Sequence, residues 1–273
     1  MHDLYKMRNT VMSSSFNRIA KQYDTWRLSY PSELFEDIFS FCGDIKTALE
    51  IGTGTGKATK KFLDQGIEVT AIEPAIEMLN IACKKYRSFQ NFHPLRMSFE
   101  EFLAENNGKF FDLVFAASSF QWIKSDDRLN MISSLIKPNG FFVRFKTTTI
   151  LQSNSVTEKI LCDLYEKFFP DFLPKEVAHT SFNKFTYNAA GFEQFVKKNF
   201  FRRITFKRDD YIAFANTYTE YLCLPQKVRD DFEDAIRNSI SAQDSFNLTQ
   251  KCSLIMAQKT ISDTNQESLW QPR

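Results

Sequence analysis

The sequence predicts an α/β protein built on a doubly wound, mostly parallel seven-stranded sheet with helices on both faces. Three observations carry this. Short apolar runs alternate with segments of helical period between residues 46 and 146, the pattern of a parallel sheet covered by helices. The run Ala48-Leu49-Glu50-Ile51 enters a glycine loop, Gly52-Thr53-Gly54-Thr55-Gly56. A second run, Val69-Thr70-Ala71-Ile72, closes on an acid, Glu73. An acid about 20 residues beyond the loop is the layout of a nucleoside pocket at the carboxyl ends of parallel strands.

In chain order, residues 1–43 hold one or two helices with Phe16, Ile19, Tyr23 and Trp26, read as an amino-terminal helical cap. The α/β core, expected to bind the cofactor, spans residues 44–150. Its strands fall at 46–51, 67–72, 92–97, 112–116 and 141–145. Its helices fall at 57–65, at 77–86 after Pro74, and at 126–136, ended by the turn signal Pro138-Asn139-Gly140. Residues 151–259 read as a helical cover around the last two strands. Here 153–198 is helix-like, 201–206 a strand and 253–257 the last strand. Tyr211, Phe214, Ala215, Tyr218 and Leu222 stand at helical spacing within 209–241. Residues 260–273 are polar and aperiodic, and read as a flexible tail.

The chain of 273 residues is long enough to bury a substantial core. Its 35 basic and 33 acidic residues leave a net charge of +2, which gives no electrostatic reason to expect a nucleic-acid or membrane-surface partner. The 29 phenylalanines read as a core of large aromatics, with a minority available to line a pocket. Cys42, Cys83, Cys162, Cys223 and Cys252 are scattered without C-x-x-C spacing, as expected of reduced thiols in a cytoplasmic protein. His2, His93 and His179 form no metal-ligand pattern, so no metal is expected. No secretory pattern and no membrane-length apolar run is read.

Which nucleoside the loop holds is decided by spacing. A P-loop needs G-x-x-x-x-G-K-[ST]. Gly56-Lys57 is preceded at the required position by Ile51 and followed by Ala58, so that class fails. A dinucleotide loop needs G-x-G-x-x-G, but here the third glycine comes one residue early and Lys57 takes its place. This argues against an NAD-dependent oxidoreductase. Glu50, two residues before the first glycine, would repel phosphate and suits a cation such as an ammonium. Glu73 can accept hydrogen bonds from both ribose hydroxyls. A nucleoside with an amino-acid tail and no phosphate fits these residues.

Glu50-x-Gly52-x-Gly54-x-Gly56 resembles motif I of the class I S-adenosylmethionine-dependent methyltransferases, whose fold is Rossmann-like. Four further segments are similar to that family in order: Glu73-Pro74-Ala75-Ile76-Glu77-Met78-Leu79, Ser98-Phe99-Glu100-Glu101-Phe102, Phe111-Asp112-Leu113-Val114-Phe115-Ala116-Ala117, and Leu135-Ile136-Lys137-Pro138-Asn139-Gly140, with Asn139 in place of a glycine. The match covers residues 16–147. The resemblance implies S-adenosyl-L-methionine as cofactor. Glu50, Gly52, Thr53, Gly54 and Gly56 would then hold its methionine part, and Glu73, followed by Pro74, its ribose. Met78 would pack near the adenosine, Ser98 and Phe99 would border the adenine, and Ala116 would lie under the sulfonium.

Methyl transfer from a sulfonium is an in-line displacement that asks mainly for alignment and a dry pocket. A base is needed only when the acceptor must lose a proton. Ser118-Ser119-Phe120-Gln121-Trp122-Ile123 follows the fourth strand and resembles a small-molecule subgroup of the trans-aconitate type, in which His-Trp often stands where this chain has Gln121-Trp122. Gln cannot act as a base, which favours an acceptor already ionised, such as a carboxylate or other O-nucleophile. Tyr23-Asp24-Thr25-Trp26-Arg27…Tyr30-Pro31 resembles the same subgroup. Tyr23 could close over the methionine carboxylate, and Arg27 could pair with that carboxylate or with an anionic acceptor. Gln121, Trp122 and Arg27 are therefore the acceptor-side candidates, with Arg144 and Lys146 on one face of strand five. A D/N-P-P-[YF] tetrapeptide of nucleic-acid adenine methyltransferases is absent after strand four. A small-molecule substrate is expected, with no nucleic acid and no membrane as partner. A protein that binds the cofactor without transferring methyl remains an alternative.

Overall fold

The computed structural model describes residues 15–151, 155–169 and 183–260. Within them lie strands β1 (Thr47–Ile51), β2 (Glu68–Ile72), β3 (Phe92–Leu95), β4 (Phe111–Ala117), β5 (Ile136–Ile150), β6 (Phe192–Lys207) and β7 (Ser245–Lys259). They form one sheet in the order β3-β2-β1-β4-β5-β7-β6. The first five pair in parallel, and β7 runs antiparallel to both β5 and β6. Strand order reverses between β1 and β4, opening the crevice at the carboxyl ends where this architecture binds ligands.

Helix α1 (15–26) and α2 (Ser32–Cys42) precede the sheet. The crossovers carry α3 (Thr59–Leu63), α4 (Ile76–Tyr86), α5 (Phe99–Glu105) and α6 (Arg128–Ser133). In α2, Leu34, Phe35, Ile38 and Cys42 fall on one stripe and are buried. They pack with Phe62, Phe115 and Phe145 on one face of the sheet, where the Phe62 and Phe115 rings stack at 4.1 Å. The other face packs Ile132, Phe142, Tyr187 and Phe192. A third cluster joins α7 (Val156–Phe168), α9 (Arg208–Ala215) and α11 (Gln226–Ser239) around Phe232, against Phe206, Phe246 and Leu248 of the β6–β7 pair. Phenylalanine thus fills all three cores.

The structure departs from the sequence reading in the second half. Strand five was expected at 141–145 but runs from Ile136 to Ile150, with Pro138-Asn139-Gly140 inside it. Those residues form an irregularity: pairing to β4 shifts between Phe111↔Ile136 and Leu113↔Phe141, and Asn139 sits at φ 61°. Residues 192–198 are strand, not helix, and the last strand begins at Ser245 rather than 253. The two strands are held by a ladder from Phe192↔Lys259 to Lys207↔Ser245, a non-local pairing that residue periodicity does not announce. The helix expected over 209–241 breaks into α9, α10 (Thr219–Leu222) and α11, the last starting after Pro225. A short α8 (Lys184–Ala189) precedes β6. The expected tail, apart from Thr260, lies outside the described residues.

Candidate active site

β1 is a central strand, and its Glu50 lies opposite Ala71 of β2 and Phe115 of β4. That position takes the carboxylate out of water: Glu50 is 1% exposed. Its Oε2 accepts a 2.6 Å hydrogen bond from Thr59 Oγ1, which in turn lies 2.8 Å from Thr53 Oγ1. Because Thr59 spends its proton on Glu50, Thr53 must donate to Thr59. The second oxygen, Oε1, is buried with no hydrogen-bond partner. Burial pushes the Glu50 carboxyl up to about 7, against the hydrogen bond from Thr59. A buried acceptor left unpaired costs free energy, so this oxygen marks a place built for a donor.

The glycine loop turns over this carboxylate with Gly52, Gly54 and Gly56 all at positive φ. At Gly52 a Cβ would stand 2.7 Å from Ser119 Cβ, and at Gly56 it would run into the Tyr86 ring. The Tyr86 hydroxyl donates to the Gly56 carbonyl at 2.5 Å, so that ring cannot move aside freely. Glu73, at the end of β2, reaches back to the loop. Its carboxylate accepts from the Gly54 N–H at 3.0 Å and the Ala75 N–H at 2.8 Å, one bond on each oxygen. Each oxygen keeps a lone pair. Burial raises the Glu73 carboxyl above its ordinary value despite both bonds.

Helix α1 lies across this end of the sheet and is fastened there by Asp24. Lys85 of α4 pairs with Asp24, Lys57 of the loop stands 3.7 Å from it, and Lys57 Nζ also donates to the Asp24 carbonyl at 2.7 Å. Lys85 donates to the Thr55 carbonyl at 3.0 Å. Burial alone would raise the Asp24 carboxyl, but the hydrogen bond from Lys85 and the charge of both lysines hold it below its usual range. Burial lowers the Lys57 ammonium. Tyr23 is half-buried in α1, and its hydroxyl is pushed up by burial and by Glu73 against the opposing charge of Arg27. Arg27 leaves the end of α1 toward the cover: its guanidinium lies 4.0 Å from the Tyr218 ring centroid and donates to the Thr217 carbonyl at 3.1 Å. Its buried Nε has no partner, and no carboxylate pairs with it among the described residues.

Just past β4, Ser118 stands at φ 60°, a conformation that a non-glycine residue holds only under tertiary constraint. Its hydroxyl meets that of Tyr30 at 3.0 Å, and Ser119 Oγ donates to the Ile51 carbonyl. Burial drives the Tyr30 phenol far above its ordinary value, so it acts as a neutral hydrogen-bonding group. Gln121 is exposed and donates to the Ser118 carbonyl at 2.8 Å, while Trp122 is half-buried beside it. Arg144 lies opposite Ala116, with its guanidinium 4.4 Å from the Phe120 ring centroid. Lys146 shares its strand face and is exposed.

The remaining sequence candidates divide. Ala116 is buried at the end of β4, and Pro74 is exposed beside Glu73. Met78 is buried against Ala20 of α1, with Phe16 and Tyr23 packed around. Ser98 caps α5 through a capping box with Glu101, and Phe99 sits in the core beside Ile51 and Ile72. Asp112 lies at the far end of the sheet, where it accepts from Thr47 N at 2.8 Å and pairs with Lys137 at 2.8 Å. Its work is to pin the starts of β1 and β4. Sequence reasoning missed Thr59, Tyr86, Lys85 and the Tyr30–Ser118 pair. Only Lys57, standing where a dinucleotide glycine belongs, hinted at the fastening of α1. Among the described residues, no His/Cys/Asp/Glu cluster could hold a metal ion, and no helix is long and apolar enough to cross a membrane.

Residues 49–142 match the family model described as a methyltransferase domain. A methyltransferase of Schizosaccharomyces pombe, uncharacterized by name, is 31% identical over 134 residues, covering 48% of this chain and 51% of the relative. Malonyl-[acyl-carrier protein] O-methyltransferase 1 of Ilyobacter polytropus is 30% identical over 137 residues, covering 47% and 49%. The chain thus spans about half the length of the curated relatives it matches. A structure from Anaeromyxobacter dehalogenans, assigned as a type II methyltransferase, superposes with a TM-score of 0.60 at 16% identity, over 85% of this chain and 97% of the other. Over residues 49–142 the chain is therefore similar to a methyltransferase domain, and its fold is that of the Anaeromyxobacter structure. The glycine loop and the two acids fit S-adenosylmethionine as a ligand. The orphaned Glu50 oxygen awaits a donor such as its ammonium, and Glu73 keeps one lone pair on each oxygen for its ribose hydroxyls.

Proposed function

We propose that this chain transfers a methyl group from S-adenosylmethionine to a small acceptor that is already an anion, most simply a carboxylate, as in the trans-aconitate-like subgroup. When bound, the cofactor supplies an activated methyl on a sulfonium. The chain's own residues do the rest. Glu50 holds the ammonium, the Gly52–Gly56 loop allows close backbone approach, Glu73 orients the ribose, and α1 excludes water from above. The observation that carries the reading is Glu50 Oε1, buried and unpaired at the mouth of the loop. For the acceptor, the support is chemical. Gln121 cannot take a proton, and Arg27 is a cation without a carboxylate partner among the described residues. The Ilyobacter relative is named for O-methylation of a malonyl group, itself a carboxylate.

Isothermal titration with S-adenosylhomocysteine tests the cofactor assignment. Saturable binding is expected, weakened at least tenfold in Glu73→Ala. No binding at millimolar ligand, or unaltered binding in that variant, would sink it. Turnover is then read as S-adenosylhomocysteine release on a panel of di- and tricarboxylic acids against matched amines and phenols. Turnover confined to the amines or phenols refutes the carboxylate.

A further inference from the structure

Residues 197–208, Lys-Lys-Asn-Phe-Phe-Arg-Arg-Ile-Thr-Phe-Lys-Arg, hold six cations and no acid, and all but the last lie in β6, the edge strand of the sheet. The two faces of that strand are used differently. On one, Lys198 pairs with Asp37 at 2.7 Å, and Arg202 donates to Gln250 Oε1 at 2.9 Å. On the other stand Lys197, Asn199, Phe201, Arg203, Thr205 and Lys207, all exposed, with Phe201 at 63%. Lys197, Arg203 and Lys207 make no salt bridge or side-chain hydrogen bond to any described residue, and neither does Lys251 of β7, which lies opposite Phe201. The β7 residues paired along this face, from Ile255 through Ser253, Lys251, Thr249 and Asn247 to Ser245, include no acid. Helix α8 packs on the same side, where Tyr187 faces Arg144, and it exposes Lys184 and Phe185, the latter at 81%.

A small anion cannot be shared by side chains so spread: Lys197 to Lys207 spans about 34 Å at about 3.4 Å per residue. A single-stranded nucleic acid needs successive aromatic platforms along its track, and this strand face offers Phe201 alone. Cations surrounding an exposed phenylalanine on an open sheet face match a lipid surface, which takes the ring at the headgroup boundary and the charges above it. We propose that this face docks the protein on an anionic membrane surface, with Phe201 at the boundary and Lys197, Arg203, Lys207 and Lys251 over the headgroups. The net charge of +2 averages this asymmetry away. The inference does not depend on which acceptor is methylated.

Flotation of the full chain with vesicles of 70% phosphatidylcholine and 30% phosphatidylserine, against pure phosphatidylcholine, tests it. Binding is expected to the anionic vesicles only. Each cation held near such a surface is worth about fivefold in binding, so Lys197→Gln with Arg203→Gln should weaken it about 25-fold, and Phe201→Ser should weaken it again. Lys46→Gln with Lys60→Gln, an equal charge change elsewhere, should leave it unaltered. Thermal melts of each variant check that the fold survives. Equal loss in the control pair, equal binding to neutral vesicles, or binding of a 20-mer oligothymidylate without vesicle binding would each overturn the proposal.

Discussion

Replacing Glu50 by Gln should make the free protein more stable and the cofactor site worse. Burial raises the Glu50 carboxyl from 4.5 in the unfolded chain to about 7 in the folded one. The folded state therefore binds this proton more tightly than the unfolded state. Its contribution to stability is fully present below pH 4.5 and is lost as pH rises through 7. At about 1.4 kcal/mol per unit, the loss amounts to about 3 kcal/mol. Gln copies the protonated form and keeps an oxygen for Thr59, so it escapes the loss. Urea unfolding of both proteins at pH 5 and pH 8 reads the difference, and every other titrating group cancels between them. The gap should be small at pH 5 and approach about 3 kcal/mol at pH 8, or roughly 6–12 °C in melting temperature for a chain of this size. S-adenosylhomocysteine affinity should fall 10- to 150-fold, the worth of about 1.5–3 kcal/mol for a charged hydrogen bond. A gap of equal size at both pH values would refute the burial argument. A stabilised variant with unaltered affinity would refute the assignment of the ammonium to Glu50.

Three further outcomes are expected. In the wild type, S-adenosylhomocysteine affinity should drop about tenfold per pH unit below about 7 as Glu50 takes up its proton, and calorimetry in buffers of different ionisation enthalpy should show proton release on binding near pH 6.5. Gly56→Ala places a Cβ against the Tyr86 ring at φ +82°; it should cost about 2–4 kcal/mol, visible as a lowered melting temperature, while Gly66→Ala, with open space around its Cβ, should cost less. Asp24→Asn removes the carboxylate charge that Lys85 pairs with and Lys57 faces, leaving the Lys57 bond to the Asp24 carbonyl in place. Stopped-flow dissociation of S-adenosylhomocysteine should quicken about 5- to 30-fold, the worth of roughly 1–2 kcal/mol for a part-buried pair, and an unaltered rate would show that α1 does not gate the site.

The first half of the fold was legible because each of its elements announces itself locally. β1, β2 and β4 are short apolar runs between turn residues, and the helices between them follow a 3.6-residue period. The second half was not, because β6 and β7 exist through each other. Residues 192–203 alternate poorly and carry mostly exposed charge, and only a partner strand more than forty residues away makes them a strand. Pro138-Asn139-Gly140 reads as a turn on any local rule, yet tertiary pairing with β4 on both sides of it carries β5 through.

The same division runs through the site. By itself the sequence carried the cofactor proposal, because the spacing of Glu50, the three glycines and Glu73 is a matter of chain distance and chemistry, and chain distance is what a sequence records. Only the tertiary structure decided how each group is tuned. It left one oxygen of Glu50 unpaired and set Thr59 on the other, packed Tyr86 where Gly56 lacks a side chain, and drew Asp24 of α1 between Lys57 and Lys85. Those relations join residues distant along the chain, and their energies depend on burial and geometry, which arise only when the sheet brings its carboxyl ends together.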